Sequence, residues 1–230
     1  MTPSGPVLVT RAEPGNAATV ARVRDMGLDA RGVPLFAAHA VGWDAPDPGD
    51  FDALLLTSAQ ALRLAGPKLG RLAELPAYTV GPATAAAAAA AGLAVAMTGP
   101  GDAQSLLDAM ASSGKTPRIL WLCGQDRTAF DPRGAVLMPL PIYAVDPVDP
   151  PSGWQALTAA PAILLAHSAR GAARIAELVG VHRGHLSLVA ISEAAATAAG
   201  DGWAAVTVTE RPDDAAMVTA AYALCQKAQK

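Results

Sequence analysis

Cysteine and histidine are scarce in this chain. Two cysteines, Cys123 and Cys225, and four histidines are scattered over 230 residues, and no CxxC pair occurs. Zinc and iron–sulfur spacings are therefore missing, and two thiols without a framework fit a reducing cytosol. Charge is also sparse. Charged residues make up 16% of the chain, the net charge is −3, and no basic run occurs. That argues against a nucleic-acid partner, although a local positive pocket for an acidic small molecule needs no basic protein. Long hydrophobic runs are missing as well. The longest, Ala83 to Leu93, is mostly alanine and is too short to span a bilayer, so no membrane partner is expected. The first residues, Met1-Thr2-Pro3-Ser4-Gly5-Pro6, lack the charged head and apolar stretch of a signal peptide, which predicts a cytoplasmic location. Finally, no GxGxxG follows the first strand and no Walker A motif occurs, which weighs against a nucleotide-dependent enzyme.

What the chain does have is apolar material: 52% of its residues are hydrophobic, enough for a sizeable core. The most informative stretch runs from Phe51 through Leu54-Leu55-Leu56 to Thr57-Ser58 and Ala61. A continuous apolar run bounded by a polar turn reads as a strand buried on both faces, hence a parallel sheet covered by helices. Ligands in such sheets sit outside the carboxyl ends of the strands, where Thr57 and Ser58 stand. The same design returns about 110 residues on, as Ala162 to Ala166 followed by His167 and Ser168.

Other units follow the same plan. Val7-Leu8-Val9 ends in Thr10-Arg11, and a helix is predicted from Asn16 to Met26, closed by Gly27. Arg11 is either a ligand-facing cation or a solvated loop residue. A helix is predicted over Ala59 to Leu69 and another over Ala85 to Ala91. Between them, Gly81-Pro82-Ala83-Thr84 lets backbone N–H groups approach an anion. Asp102 and Asp213-Asp214 are expected to open helices. Val33 to Phe36 and Pro139 to Val145 read as extended links in equivalent places, able to pair as a two-stranded hinge. His167 reads as a loop residue, because neighbours on a strand point to opposite faces and it cannot serve Ser168 as a base.

The order of parts reads as an internal duplication. The fold class is α/β: two similar lobes of parallel sheet flanked by helices, joined by a two-stranded linker, with a cleft between them. Residues 1–34 and 146–230 form one lobe, 40–140 the other, and 33–40 with 139–146 the linker strands.

Taken together, these motifs resemble the uroporphyrinogen-III synthase family. The resemblance lies in Val7 to Arg11, Asp52 to Ala61, Val80 to Ala85, Gly101 to Leu106 and Leu140-Pro141-Ile142-Tyr143. It continues in the strand to His167-Ser168, in Ala190 to Glu193 and in Arg211 to Ala215. It implies a lyase that closes hydroxymethylbilane to uroporphyrinogen III with inversion of ring D and loss of water. It implies no cofactor and no metal, a monomer, and transient hand-over of substrate from hydroxymethylbilane synthase. By its place in the Leu-Pro-x-Tyr link, Tyr143 is the implied catalytic residue; it could also be a half-buried hinge aromatic packing on Phe36. Arg11, Ser58, Gly81, Thr84, Arg127, Ser168 and Ser192 are the implied substrate-binding residues. The second glycine–threonine site departs from the family, with Ser192-Glu193-Ala194-Ala195 in its place. A cytosolic two-lobed protein that binds or senses a small ligand without turnover is the alternative.

Overall fold

The computed structural model describes residues 5–111, 117–127 and 129–228. Its elements begin with β1 (Val7–Val9), α1 (Gly15–Asp25), β2 (Ala30–Gly32) and β3 (Phe36–Ala40). There follow β4 (Ala53–Leu56), α2 (Ala59–Leu64), β5 (Ala77–Thr79), α3 (Pro82–Ala90), β6 (Val95–Thr98) and α4 (Ala103–Ala111). Next are β7 (Arg118–Gly124), the long β8 (Val136–Pro147), α5 (Trp154–Thr158), β9 (Ala162–Ala166) and α6 (Ala169–Val179). The chain closes with β10 (Leu186–Ala190), α7 (Glu193–Ala199), β11 (Ala205–Val208) and α8 (Asp214–Ala228).

The chain divides into two compact units, Met1–Ala37 with Asp146–Lys230, and Ala38–Val145. The first holds a sheet of order β11-β10-β9-β1-β2, parallel throughout. The sheet of the second has the order β3-β8-β7-β4-β5-β6 and is parallel from β8 to β6. Without β3, the two orders are the same: β9, β10 and β11 correspond to β4, β5 and β6, β1 to β7, and β2 to β8. The edge strand β3 runs antiparallel to β8. Val41 N–H bonds the Ile142 carbonyl and Val148 N–H the Leu35 carbonyl, both at 3.0 Å, so one number rises as the other falls.

The apolar runs are long because both sheet faces are covered. In β4, Leu54 and Leu56 join Leu120, Leu122 and Leu62 in one buried cluster. Ala53 and Leu55 point the other way and pack with Ile119, Trp121, Leu106 and Leu107. Each buried leucine contributes about 1.5–3 kcal/mol. In the first unit Val7, Val9, Ile163, Leu165 and Val189 meet Val20 and Val23 of α1 and Met217 and Val218 of α8.

Some boundaries differ from the sequence prediction. The helix expected to reach Leu69 stops at Leu64, because Gly66 takes a positive φ of 68° and Pro67 offers no N–H. A 3-10 stretch, Pro67–Leu72, replaces it. The alanine helix starts earlier, with Pro82 at its first position. The first link is preceded by β2, a strand that Ala-Arg-Gly did not announce. Among the described residues no helix is long and apolar enough to cross a membrane.

Candidate functional site

Every helix that follows β4, β9 or β10 is opened by a serine in the extended conformation. Ser58, Ser168 and Ser192 accept hydrogen bonds from the backbone N–H of Gln60, Gly171 and Ala195, respectively. Each cap uses an oxygen lone pair and leaves the hydroxyl proton available as a donor. The corresponding position after β5 is Gly81, where a Cβ would stand 3.5 Å from Gly101 Cα. Gly81 is buried, and so is Thr84 at 6% exposure. That turn therefore presents backbone more than hydroxyl.

In the Ala38–Val145 unit the strand ends border an open cavity of about 230 Å³ lined by Thr57, Ser58, Trp121, Cys123, Arg127 and Tyr143, among others. It forms where β4 and β7 end beside β8, which runs on past Tyr143. β4 supplies Thr57 and Ser58, β7 supplies Cys123 and Gly124, and β8 supplies Tyr143. A bulge sets the tyrosine. Cys123 pairs with Pro141, but Gly124 pairs with Tyr143, so Ile142 is skipped. The ring then lies against Gly124, where a Cβ would meet Tyr143 Cζ at 2.9 Å and its hydroxyl at 3.2 Å. A side chain at 124 would force the ring to shift. Phe36, the packing partner considered for Tyr143, lies beneath the Arg170 guanidinium at 5.1 Å.

The other wall is aromatic. Trp121 Nε1 donates to Thr57 Oγ1 at 3.0 Å, and the Phe130 ring centroid is 4.6 Å from that of Trp121. Burial pushes the Cys123 thiol up, and the positive charge of Arg127 offsets this only in part. The thiol stays protonated, which suits a wall and not a nucleophile. Arg127 donates to the Gln125 carbonyl at 3.1 Å and is exposed, as a cation for an arriving anion would be. At about 230 Å³ the cavity is smaller than the roughly 300–1,000 Å³ of sites that enclose a drug-sized ligand.

The structure thus brings Ser58, Arg127 and Tyr143 together. Gly81 and Thr84 stand at the start of α3 in the same unit, outside the residues lining that cavity. Arg11, Ser168 and Ser192 belong to the other unit, at the ends of β1, β9 and β10.

There Arg11 meets a group that the sequence flagged only as a helix opener. Asp214, in the first turn of α8, lies 3.4 Å from Arg11 Nη1 through Oδ1. Its carboxylate also takes the Thr19 hydroxyl at 2.6 Å, His167 Nε2 at 2.9 Å, and Arg22 Nη1. Burial alone would raise the Asp214 pKa, but the bonds from Thr19, His167 and Arg22 together bring it below the usual carboxylate value. His167 lies beyond the last residue of β9, as a loop residue should. Its side chain, however, is only 8% exposed and engages Asp214. Burial lowers its pKa, and the charge of Arg11 acts the same way against the bond to Asp214. The ring is therefore neutral and donates through Nε2, while Nδ1 is buried without a hydrogen-bond partner. Ser168 Oγ is turned to the α6 backbone, so no serine–histidine pair exists. Two adjacent aspartates at a helix start signal capping, and Asp213 does cap, from Ala216 N–H. Asp214 opens α8 as expected, but nothing in the sequence marks its contacts with Arg11, Arg22, Thr19 and His167. Among the described residues no three His, Cys, Asp or Glu side chains gather as a metal-binding group.

Among curated proteins none matches the chain in sequence. Solved structures do match. A uroporphyrinogen-III synthetase from Helicobacter pylori superposes with a TM-score of 0.67 at 17% identity, over 96% of this chain and 99% of that one. A mutant uroporphyrinogen III synthase from Thermus thermophilus gives a TM-score of 0.48 at 18% identity, over 97% and 99% of the two chains. At 17% identity the first likeness speaks for the fold alone. The family is settled by sequence: the family model of uroporphyrinogen-III synthase HemD matches residues 17–219. The chain belongs to the uroporphyrinogen-III synthase family, lyases of tetrapyrrole biosynthesis.

Proposed function

We propose that the chain closes hydroxymethylbilane to uroporphyrinogen III by holding the linear tetrapyrrole in one geometry, with Tyr143 assisting departure of the ring A hydroxyl. The carbon–oxygen bond of the hydroxymethyl group breaks, and the oxygen leaves as water with a proton from a donor. The azafulvene cation that remains is conjugated and needs no covalent partner. Its methylene carbon is attacked by ring D at the carbon that already bears a substituent, giving a spiro intermediate. Fragmentation and reclosure then invert ring D, and a proton is lost. Spontaneous closure without inversion competes, so the catalytic task is mainly orientation.

The observation that supports this reading is the tyrosine hydroxyl beside Gly124, in a cavity that also holds Ser58 and Arg127. The aromatic wall of Trp121 and Phe130 suits a flat pyrrole ring, and the cavity volume fits a part of the tetrapyrrole. The eight carboxylates of the substrate fall to hydroxyl donors, cations and helix starts. Ser58, Arg127 and the Gly81–Thr84 turn supply these in one unit, and Arg11, Ser168 and Ser192 in the other. The reading extends to a cytoplasmic monomer that takes its substrate over transiently from hydroxymethylbilane synthase.

The test is an assay coupled to a hydroxymethylbilane source without added cofactor. Type III uroporphyrinogen is the expected product; formation of the type I isomer alone would refute the assignment.

A further inference from the structure

The two units are built alike but end differently at equivalent places. Asp102 caps α4 from Ser105 N–H and Asp213 caps α8 from Ala216 N–H, so Ala103 and Asp214 occupy the same position after the cap. Thr57 and His167 likewise both precede the serine cap after β4 and β9. In the Ala38–Val145 unit, Ala103 and Thr57 border the open cavity. In the other unit, Asp214 and His167 form an ionic cluster with Arg11, Arg22 and Thr19.

Among the described residues the charges of that cluster do not balance. One carboxylate faces two guanidinium groups and a neutral imidazole. The nearby acids serve elsewhere: Glu13 accepts from Ala17 N–H, and Asp213 caps α8 and pairs with Arg211. The two arginines keep 37% and 55% of their side-chain surface exposed, while Asp214 keeps 14%. Each guanidinium thus has N–H donors left over and turned to solvent. Arg11 is located a second way. Its guanidinium folds over Gly15, where a Cβ would meet Nε at 2.5 Å and Cζ at 2.6 Å. An ion pair that served only the fold would neutralise its charges and would not need this open seat.

We infer that Asp214 is a positioning residue: it fixes Arg11 on one oxygen and Arg22 on the other, so that the two guanidinium groups together receive one carboxylate of the substrate. His167 holds Asp214 from beneath as a neutral donor, adding no charge. Gly15 leaves the space in which Arg11 lies flat. This rests on the proposed reaction for the identity of the ligand, but the clamp itself is a carboxylate site.

Two readouts separate the inference from that reading: steady-state formation of type III uroporphyrinogen, and equilibrium binding of uroporphyrin followed by its fluorescence. Arg22→Gln removes one exposed guanidinium and is expected to raise KM about tenfold with kcat within about twofold of wild type. Gly15→Ala displaces Arg11 without removing its charge and should raise KM similarly. Asp214→Asn should do at least as much, and Asp214→Glu should recover part of the loss. Uroporphyrin affinity should fall in parallel in each variant. Wild-type KM and wild-type uroporphyrin affinity in both Arg22→Gln and Gly15→Ala would overturn the inference, even if Asp214→Asn failed to fold. A wild-type protein that forms no type III isomer would refute the reaction, while uroporphyrin affinity would still decide the clamp.

Discussion

The Tyr143 ring rests on the backbone of Gly124, closer than any side chain at that position would permit. The two residues face each other because a bulge skips Ile142 in the β7–β8 ladder. Tyr143→Phe keeps the ring and removes the hydroxyl. It is expected to lower kcat about 100-fold, as loss of a proton donor does, with little change in KM. Gly124→Ala places a methyl group 2.9 Å from Cζ and drives the ring out of place, so both kcat and stability should fall. Initial rates of type III uroporphyrinogen formation, with thermal melts of each variant, check both outcomes.

The serine caps carry two roles that one pair of substitutions separates. Ser58→Ala should cost about 1 kcal/mol, because the Gln60 N–H loses its acceptor, whereas Ser58→Gly should cost only a few tenths. Both remove the hydroxyl proton offered to substrate. Urea denaturation should therefore distinguish the two variants, while KM should rise equally in both. A KM that followed stability, rising in the alanine variant alone, would restrict Ser58 to capping.

Acidification should loosen the Met1–Ala37/Asp146–Lys230 unit in two steps. The folded His167 takes a proton less readily than the unfolded chain, whose histidine titrates near 6.5. The unfolded state gains protons first as pH falls through that value, so stability drops from there until the depressed folded value is passed. Asp214 follows at lower pH. Its folded pKa lies below 3.8, so its stabilisation is present above that value and is lost as pH falls through the folded one. Melting temperatures from pH 8 down to 3 should show both declines. His167→Gln should abolish the upper one and keep the lower.

Leu55 is fully buried between the β4 backbone and the Leu106–Leu107 face of α4. Leu55→Ala should cost about 2–5 kcal/mol, measured by urea denaturation. Its neighbours Leu54 and Leu56 belong to the opposite face of the same sheet, and equivalent costs there would show that both faces bear on stability.

The two sheets were legible in the sequence because a strand covered on both faces must be apolar without interruption, as Leu54 to Leu56 and Ile163 to Leu165 are. Ser58, Ser168 and Ser192 stand out in the sequence as ligand-facing hydroxyls between a strand and a helix; their capping bonds become visible only in the structure. Tyr143 came forward through its place in the link, but its contact with Gly124 depends on a bulge that no residue in Leu-Pro-Ile-Tyr announces. Arg11 and Asp214 lie 203 positions apart. Their meeting, and that of Thr19, Arg22 and His167 around them, is a product of sheet order. The helix expected through Leu69 failed for a local reason: Gly66-Pro67 outweighs the apolar spacing around it.

Strand β1 lies between β2 and β9, so an interior strand of one sheet is synthesised well before the second of its two partners. Its partner β9 begins at Ala162. At roughly 5–20 residues per second, β1 waits on the order of ten seconds for that edge to arrive. The Ala38–Val145 unit emerges whole in the interval. During that wait Val7-Leu8-Val9 is an unpaired apolar edge, the segment that a nascent-chain chaperone would have most reason to cover.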